Sequence, residues 1–187
     1  MAKECYELFK QHIPEDSFFV EPSAGDGSFL NIIEEEKIGF DISPDNDSII
    51  QNDFLKSSIK KYIKNKKNVV ILGNPPFGKK SKLAISFLNK SFQYSSIVGF
   101  VVPIQFRKWS VQNQIREDAK LILDHDIPKY SFLVDGKPYD VNCCFQIWSL
   151  GGKVNLRTSP PITSSSDFQM FQYNRTEETL KYFDYDW

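Results

Sequence analysis

Short apolar stretches alternate with amphipathic ones along most of this chain, and this alternation constrains the fold most strongly. Seven stretches have the length and the β-branched or aromatic content of strands: 17–21, 37–42, 48–53, 68–73, 96–103, 120–126 and 143–150. Strands separated by helical spacing indicate βαβ units and a parallel sheet. No helical pattern separates the last two strands, so we expect them to be antiparallel neighbours.

Helical spacing of apolar residues predicts the elements between the strands. The predicted helices cover 4–13, 29–36, 57–67, 81–92 and 110–119. We expect one folded domain over 1–157. A Pro/Ser/Thr linker and an aromatic, acidic tail are expected over 158–187.

Composition and charge limit the classes of function. The chain has 187 residues, is 41% hydrophobic and 25% charged, and carries a formal net charge of −1. A nucleic-acid-binding surface would therefore have to be a local patch. The three cysteines and two histidines lack metal-ligand spacing, so we expect no metal and reduced thiols. No signal peptide or run of about 20 apolar residues is visible, which predicts a cytoplasmic protein without a membrane segment.

A glycine-containing turn, "EPSAGDG" at 21–27, follows the first predicted strand. Ligands of open α/β sheets bind at the carboxyl ends of the strands, and this is the first such end. Gly25 and Gly27 allow a positive φ or a close approach of the backbone to a ligand. Taken alone, the pair also fits an ordinary tight turn.

Acidic residues end the next two strands. Asp41 ends the second, where its carboxylate can accept hydrogen bonds from both hydroxyls of a ribose. Asp53 ends the third, next to Phe54, a combination that suits an adenine amine and a stacking ring. Together with the glycine turn, these residues predict a nucleoside site.

The segments "EPSAGDGSF" and "GNPPFG", in this order, resemble motifs of the adenine-N6 methyltransferases that use S-adenosylmethionine. The order is that of their gamma class, and the resemblance covers about residues 17–150. It implies the α/β class I (Rossmann-like) methyltransferase fold, with 1–157 as the catalytic domain. That fold has a mostly parallel seven-stranded sheet, helices on both faces and one antiparallel strand near an edge.

The resemblance also implies a cofactor site. Glu21, Gly25 and Gly27 would line the methionine end of S-adenosylmethionine, and Asp41 would hold its ribose. The whole implied site consists of Glu21, Pro22, Ser23, Gly25, Gly27, Asp41, Ile42, Asp53, Phe54 and Asn74. In it, Ile42 would pack on the adenine of the cofactor, Asp53 would accept from its amine, and Phe54 would lie against the ring.

The element Asn74-Pro75-Pro76-Phe77 ends the fourth strand, because proline cannot donate to a strand ladder. In the catalytic role implied by the resemblance, the Asn74 side-chain oxygen and the Pro75 carbonyl accept from the target amine. Phe77 would stack on the flipped base. The two prolines would stiffen this element, which leaves less ordering for the transition state.

Lysines follow this element directly. We expect Lys79, Lys80, Lys82 and Arg107 to contact the phosphates of a nucleic acid substrate, with DNA favoured over RNA. Only 37 residues follow Leu150, too few for a target-recognition domain. We therefore expect low sequence specificity and a preference for unpaired adenine; recognition by a second subunit or a homodimer partner stays open.

Two alternatives remain. The same Asn-Pro-Pro-aromatic element occurs in enzymes that methylate the side-chain amide of a protein glutamine. A non-catalytic subunit with this fold is the second alternative, and the intact "NPPF" and glycine turn argue against it.

Overall fold

The computed structural model describes residues 1–134, 136–164 and 166–167. These residues form nine strands: β1 Phe18–Glu21, β2 Lys37–Asp41, β3 Ile49–Gln51, β4 Val69–Gly73, β5 Ile97–Pro103, β6 Lys120–Asp126, β7 Phe132–Val134, β8 Lys137–Tyr139 and β9 Cys143–Ser149. Seven build one sheet in the order β3-β2-β1-β4-β5-β9-β6. Strands β7 and β8 pair with each other as a separate hairpin.

The main sheet is parallel except for one strand. Val20 of β1 pairs with Ile38 of β2 on one side and with Ile71 of β4 on the other, both in parallel. Strand β9 is antiparallel to both β5 and β6, where Phe145 lies opposite Val101 and His125. The predicted seven-stranded, mostly parallel sheet is confirmed, as is the antiparallel pairing of the last two predicted strands.

Helices cover both faces of the sheet, as predicted. The four α-helices among the described residues are α1 Ala2–Lys10, α2 Lys60–Ile63, α3 Lys82–Ser91 and α4 Trp109–Gln112. Successive side chains of a strand point to opposite faces. Accordingly, Phe19 packs with Phe9 of α1, whereas Val20 belongs to the apolar cluster that contains Leu88 of α3.

Three predicted helices are shorter than the sequence spacing indicates. Those predicted over 29–36, 57–67 and 110–119 are observed as a 3₁₀ turn at Leu30–Ile32 and as α-helices at Lys60–Ile63 and Trp109–Gln112. In the first case, the β-branched Ile32 and Ile33 lose side-chain freedom in a helix. A longer helix would also place three glutamates, residues 34–36, at the negative end of its dipole.

The parallel strands bring their following residues to one edge of the sheet, here called the carboxyl edge. The first residues after β1 to β5 are Pro22, Ile42, Asn52, Asn74 and Ile104. The glycine turn and the Asn-Pro-Pro-Phe element therefore share this edge, where ligands of such sheets bind.

The remaining features concern the chain outside the sheet. Within the described residues, no helix is both long enough and apolar enough to cross a membrane. The linker over 158–164 has no regular secondary structure. Residues 168–187 of the predicted tail lie outside the described residues.

Candidate active site

The turn after β1 uses both of its glycines for backbone conformation. Gly25 has φ +51° and Gly27 has φ +84°, values that favour glycine. A Cβ on Gly25 would meet no atom within 4 Å, so this turn leaves open space at the carboxyl edge. The Gly25 N–H donates to Asp41 Oδ2 at 2.8 Å, which joins the turn to the end of β2.

Asp41 is oriented by backbone groups on both sides. Its other oxygen, Oδ1, accepts from the Ser43 N–H at 2.8 Å. A carboxylate has about four acceptor positions, so acceptor positions remain for a ligand with two hydroxyls. The adjacent Ile42 side chain is 66% exposed, which leaves an apolar surface for a flat ring.

Glu21, the last residue of β1, is a buried acid with an unpaired oxygen. It is 2% exposed, and its Oε2 has no hydrogen-bond partner within the described residues. Burial raises the pKa of Glu21 to about 9, and the nearby carboxylates of Asp26 and Asp41 act in the same direction. A cationic group of a ligand would supply the missing partner for this carboxyl.

Asp53 caps the turn after β3. Its Oδ1 accepts from the Leu55 N–H at 3.0 Å, and its Oδ2 lies 3.3 Å from Lys56 Nζ. Burial works against the charged form, but hydrogen bonds from the Lys56 side chain and backbone lower the pKa of Asp53 below its usual value. Its neighbour Phe54 is 1% exposed and stacks on Phe87 with ring centroids 5.5 Å apart, so its ring is largely committed to the core.

A pocket of about 610 Å³ brings most of the predicted cofactor residues together, and we call it the acidic pocket. Of the predicted residues, it is lined by Pro22, Ser23, Asp41, Ile42, Asp53, Phe54, Asn74 and Pro76. Glu21, Gly25 and Gly27 are not part of its lining, although Gly25 is bonded to Asp41. Leu83 and Phe87 of α3 also line it and were missed, because helical spacing alone marks them as core.

Asn52 is a further residue that sequence reasoning missed. It lines the acidic pocket, and its buried Oδ1 has no hydrogen-bond partner among the described residues. An unpaired buried acceptor is costly unless a ligand donates to it. The strand predicted over 48–53 contained Asn52 and ended at Asp53, so the sequence drew attention to Asp53 instead.

The Asn-Pro-Pro-Phe element separates the acidic pocket from a second one. Asn74 Oδ1 is buried and has no hydrogen-bond partner in the described part of the chain, while the Asn74 carbonyl accepts from Ser23 Oγ at 3.3 Å. Pro75 is buried and Pro76 exposed. Asn74 and Pro76 face the acidic pocket, whereas the next residue, Phe77, lines the second pocket.

The second pocket, here called the basic pocket, also measures about 610 Å³. It is lined by Phe77, Gly78, Lys80, Ser81, Pro103, Gln105, Lys108, Ser110, Val111, Val141 and Asn142. Its two charged lining residues, Lys80 and Lys108, are both basic. The acidic pocket has Asp41, Asp53 and Lys56 instead. The two sides of the Asn-Pro-Pro-Phe element therefore differ in charge.

The predicted phosphate-binding residues have different surroundings. Lys79, Lys80 and Lys82 are exposed and form no ion pair with the described residues, and Lys80 lines the basic pocket. Arg107 instead donates through Nε and Nη2 to Asp124 at 2.9 Å and through Nη2 to Asp126 at 2.6 Å. These ion pairs weigh against Arg107 as a phosphate ligand, which stays a prediction.

The loop after Phe77 has an uncommon backbone. Gly78, Lys80 and Ser81 have φ values of +67°, +54° and +62°. Left-handed conformations of non-glycine residues are strained and cluster at functional sites. This loop leads directly into α3, so the strain lies beside the basic pocket.

The three cysteines are buried thiols, and the described residues hold no cluster placed to bind a metal ion. Cys5, Cys143 and Cys144 are free and buried. Burial raises the pKa of Cys143 to about 11 and the pKa values of Cys5 and Cys144 to about 12, so they stay thiols at neutral pH. In the described residues, no group of three or more His, Cys, Asp or Glu side chains is placed to hold a metal ion.

Solved structures of methyltransferases are similar to this chain in fold. No protein-family profile matches the sequence, and no curated protein matches it significantly. A solved structure of a candidate RNA methyltransferase from Pyrococcus horikoshii is similar at a TM-score of 0.52 and 16% identity, over 79% of this chain and 82% of that one. The N-methyltransferase NodS from Bradyrhizobium japonicum WM9 has a TM-score of 0.51 and 9% identity, over 79% and 93%.

The chain has the class I methyltransferase fold. A protein from Thermoplasma acidophilum is also similar, at a TM-score of 0.50 and 15% identity, over 77% of this chain and 84% of that one. The fold class predicted from the sequence is therefore confirmed. At these identities, the similarity shows the class I methyltransferase fold alone. The substrate has to be inferred from the residues of the site.

Proposed function

We propose that this protein transfers the methyl group of S-adenosylmethionine to the exocyclic N6 amine of adenine in nucleic acid. The observation that carries the proposal is the buried, unpaired Asn74 Oδ1 at the boundary between the two pockets. A buried acceptor without a partner suits a ligand that brings its own N–H group.

The acidic pocket suits the cofactor. Asp41 would bind the ribose hydroxyls, and the exposed Ile42 would pack on the adenine ring of the cofactor. Asn52 Oδ1 and the Asp53 carboxylate would accept from the adenine amine. Glu21 would pair with the ammonium of the methionine part, which supplies the cation that its buried carboxyl lacks.

The chemistry at the boundary follows from the acceptors. When bound, S-adenosylmethionine supplies a methyl group activated by a positive sulfonium. Asn74 Oδ1 and the Pro75 carbonyl would accept the two N6 hydrogens, which directs the nitrogen lone pair toward the acidic pocket. In the proposed transfer, the amine nitrogen would bond to the methyl carbon as the carbon–sulfur bond breaks, the demethylated cofactor would leave, and the amine would release one proton to solvent.

The basic pocket favours nucleic acid over a protein glutamine as the substrate. Both substrates present an NH₂ group to Asn74, so the amine alone does not separate them. Lys80 and Lys108 line this pocket without an acidic residue, and Lys79 and Lys82 are exposed nearby, an arrangement that attracts phosphates. The partly exposed Phe77 ring offers a stacking surface for the base.

The test is incorporation of labelled methyl groups from S-adenosylmethionine into defined substrates. The purified protein is incubated with single-stranded DNA, duplex DNA, RNA or a protein pool, and oligonucleotides without adenine serve as matched controls. Nuclease digestion then identifies the modified nucleoside. We expect N6-methyladenine, with single-stranded substrates methylated faster than duplexes.

The outcomes separate the alternatives. Label only in protein would favour the glutamine-amide methyltransferase. Cofactor binding without transfer to any substrate would favour the non-catalytic subunit. Label in oligonucleotides without adenine would contradict the assignment of the target base.

A further inference from the structure

The connection between β6 and β9 lies at the carboxyl edge, next to the basic pocket. Strand β6 runs parallel to β5, so its last residue, Asp126, lies at that edge. Strand β9 starts from the same edge. The connection, described over 127–134 and 136–142, therefore begins and ends there, and its last two residues, Val141 and Asn142, line the basic pocket.

This connection, here called the hairpin arm, is fastened at its base. Ile127 is buried, and Phe132 and Val141 pack against the apolar cluster of α1. The Ile104 N–H donates to the Asn142 carbonyl at 3.0 Å, which ties the end of the arm to the residue after β5. The base of the arm is thus fixed relative to the basic pocket.

The arm exposes two aromatic residues. Tyr130 is 64% exposed and Tyr139 is 56% exposed, while Phe132, the cross-strand partner of Tyr139, packs inward. The positive φ of +59° at Tyr130 places this residue in a strained turn, held by a hydrogen bond from Ser131 Oγ to the Pro128 carbonyl. A half-buried anchor, Phe132, with two exposed rings on the same arm is suitable for a stacking surface.

The charges beside the arm, around the basic pocket, favour an anionic partner. Lys129 and Lys137 are exposed and form no ion pair with the described residues. Together with four lysines near the basic pocket, Lys79, Lys80, Lys82 and Lys108, they make six such cations at the carboxyl edge. The arm also holds two acids in its sequence, Asp135 and Asp140, which equal its two lysines in number, so the surplus of positive charge comes from the four lysines near the basic pocket. Asp126, at the end of β6, is paired with Arg107.

We propose that the hairpin arm binds the nucleotides that flank the target base, with Tyr130 and Tyr139 stacking on bases and Lys129 and Lys137 contacting phosphates. This inference rests on the proposed nucleic acid substrate. Stacking needs unpaired bases and tolerates any sequence, so the arm binds single strands with low sequence specificity. The arm would add contacts to the nucleic acid beyond those of the two pockets. Apart from this hairpin, the described residues form only the methyltransferase fold.

The test compares substrates of two lengths. Tyr130→Ala/Tyr139→Ala should raise KM for a 15-nucleotide single strand by roughly five-fold or more for each lost stack, with kcat nearly unchanged. A trinucleotide centred on adenine lacks most flanking nucleotides, so its kinetics should change little. Tyr130→Phe/Tyr139→Phe keeps both rings and should retain the parental KM.

The lysines provide an independent measurement. Lys129→Gln/Lys137→Gln should lower the slope of log affinity against log salt by about 0.7 per lysine for a single strand. The matched control, Lys64→Gln/Lys67→Gln, removes two exposed lysines near the opposite edge, where Lys67 lies beside Ser17 and Phe18. It should leave the slope unchanged.

Each failure has its own meaning. If the parental protein methylates no adenine in any oligonucleotide, the proposed function fails before the arm is tested. If the parental protein is active and the folded tyrosine-to-alanine variant has the parental KM on the 15-nucleotide strand, the arm proposal is wrong. An equal loss on the trinucleotide would also contradict it, because the damage would then lie in the pocket.

Discussion

The carboxylate of Asp41 accepts a hydrogen bond from the Gly25 N–H, with 2.8 Å between Oδ2 and the nitrogen. This bond joins the turn after β1 to the end of β2, and the Ser43 N–H holds the second oxygen. Asp41 is therefore oriented before a ligand arrives, which lowers the ordering cost of binding. Two motifs that are distant in sequence thus form one preorganised unit.

Replacing Asp41 should weaken cofactor binding. Asp41→Ala removes the acceptor for the ribose hydroxyls and leaves the Gly25 and Ser43 N–H groups without their partner. We expect an affinity for S-adenosylmethionine, or for its demethylated product, that is weaker by about 1–3 kcal/mol. Calorimetric titration measures this loss. Asp47→Ala, which removes an exposed acid from the same loop, should bind like the parent, and equal affinities for both variants would contradict this placement.

Asn74→Ala should separate catalysis from stability. Because Asn74 Oδ1 has no partner within the described residues, its loss removes no hydrogen bond of the side-chain oxygen, and the free energy of unfolding should change by less than about 1 kcal/mol. Methyl transfer should fall about 10²-fold or more, since one preorganised acceptor of the target amine is lost.

Urea denaturation and single-turnover methylation measure these two effects. Cofactor affinity serves as a further check and should stay near the parental value. The exposed Asn113 gives a control variant, Asn113→Ala, which should be fully active. Parental transfer rates in Asn74→Ala would refute the role of this amide.

The sequence was sufficient to predict the sheet and the strand-end polar groups. Apolar runs of strand length, punctuated by Gly25, Asp41 and Asn74, mark where parallel strands end, and parallel ends must share an edge. The turn around Gly25 is joined to Asp41, 16 residues later in the sequence, by a hydrogen bond. The two glycines are nevertheless sufficient to predict a turn without knowledge of that bond.

The rest depended on tertiary contacts that no local pattern encodes. The unpaired Oδ1 of Asn52 is visible only when the pocket is assembled. Phe54 is an aromatic residue, a type that can stack on a ligand, but its ring stacks on Phe87 of α3. Arg107, which follows β5, was predicted to contact phosphates. In the structure, it forms ion pairs with Asp124 and Asp126 of β6.

Arg157 stabilises the end of the folded domain. Its guanidinium donates to the carbonyls of five residues: Gln112, Ile115, Arg116, Glu117 and Ala119. It also lies 5.6 Å from the centroid of the Trp148 ring. Arg157→Ala should lower the free energy of unfolding by about 1–3 kcal/mol, because the hydrogen bonds are charge-assisted.

Thermal or urea unfolding measures that loss. Arg157→Lys keeps the charge but lacks the planar fork, so it should recover only part of the stability. The exposed Lys153→Ala, near Arg157 in sequence, is the matched control. Equal stability of Arg157→Ala and Lys153→Ala would contradict the role of Arg157.

Glu21 should make stability depend on pH. Its pKa is about 9 in the folded protein, against an ordinary value of 4.5, because burial disfavours the charged form. The folded state therefore holds a proton that the unfolded state releases. The stabilising contribution is complete below pH 4.5, is lost as pH rises, and is gone above about 9. The loss is at most about 1.4 kcal/mol per pH unit.

Glu21→Gln isolates this effect, since glutamine is nearly isosteric and does not titrate. Urea denaturation of both proteins between pH 5 and 9 should show the parent losing stability relative to the variant as pH rises, while other titrating groups cancel. If the cofactor ammonium pairs with Glu21, binding at pH 7 should also release about one proton, because the ion pair lowers the Glu21 pKa. Calorimetry in two buffers of different ionisation enthalpy measures that release, and the same release in Glu21→Gln would assign the proton to another group.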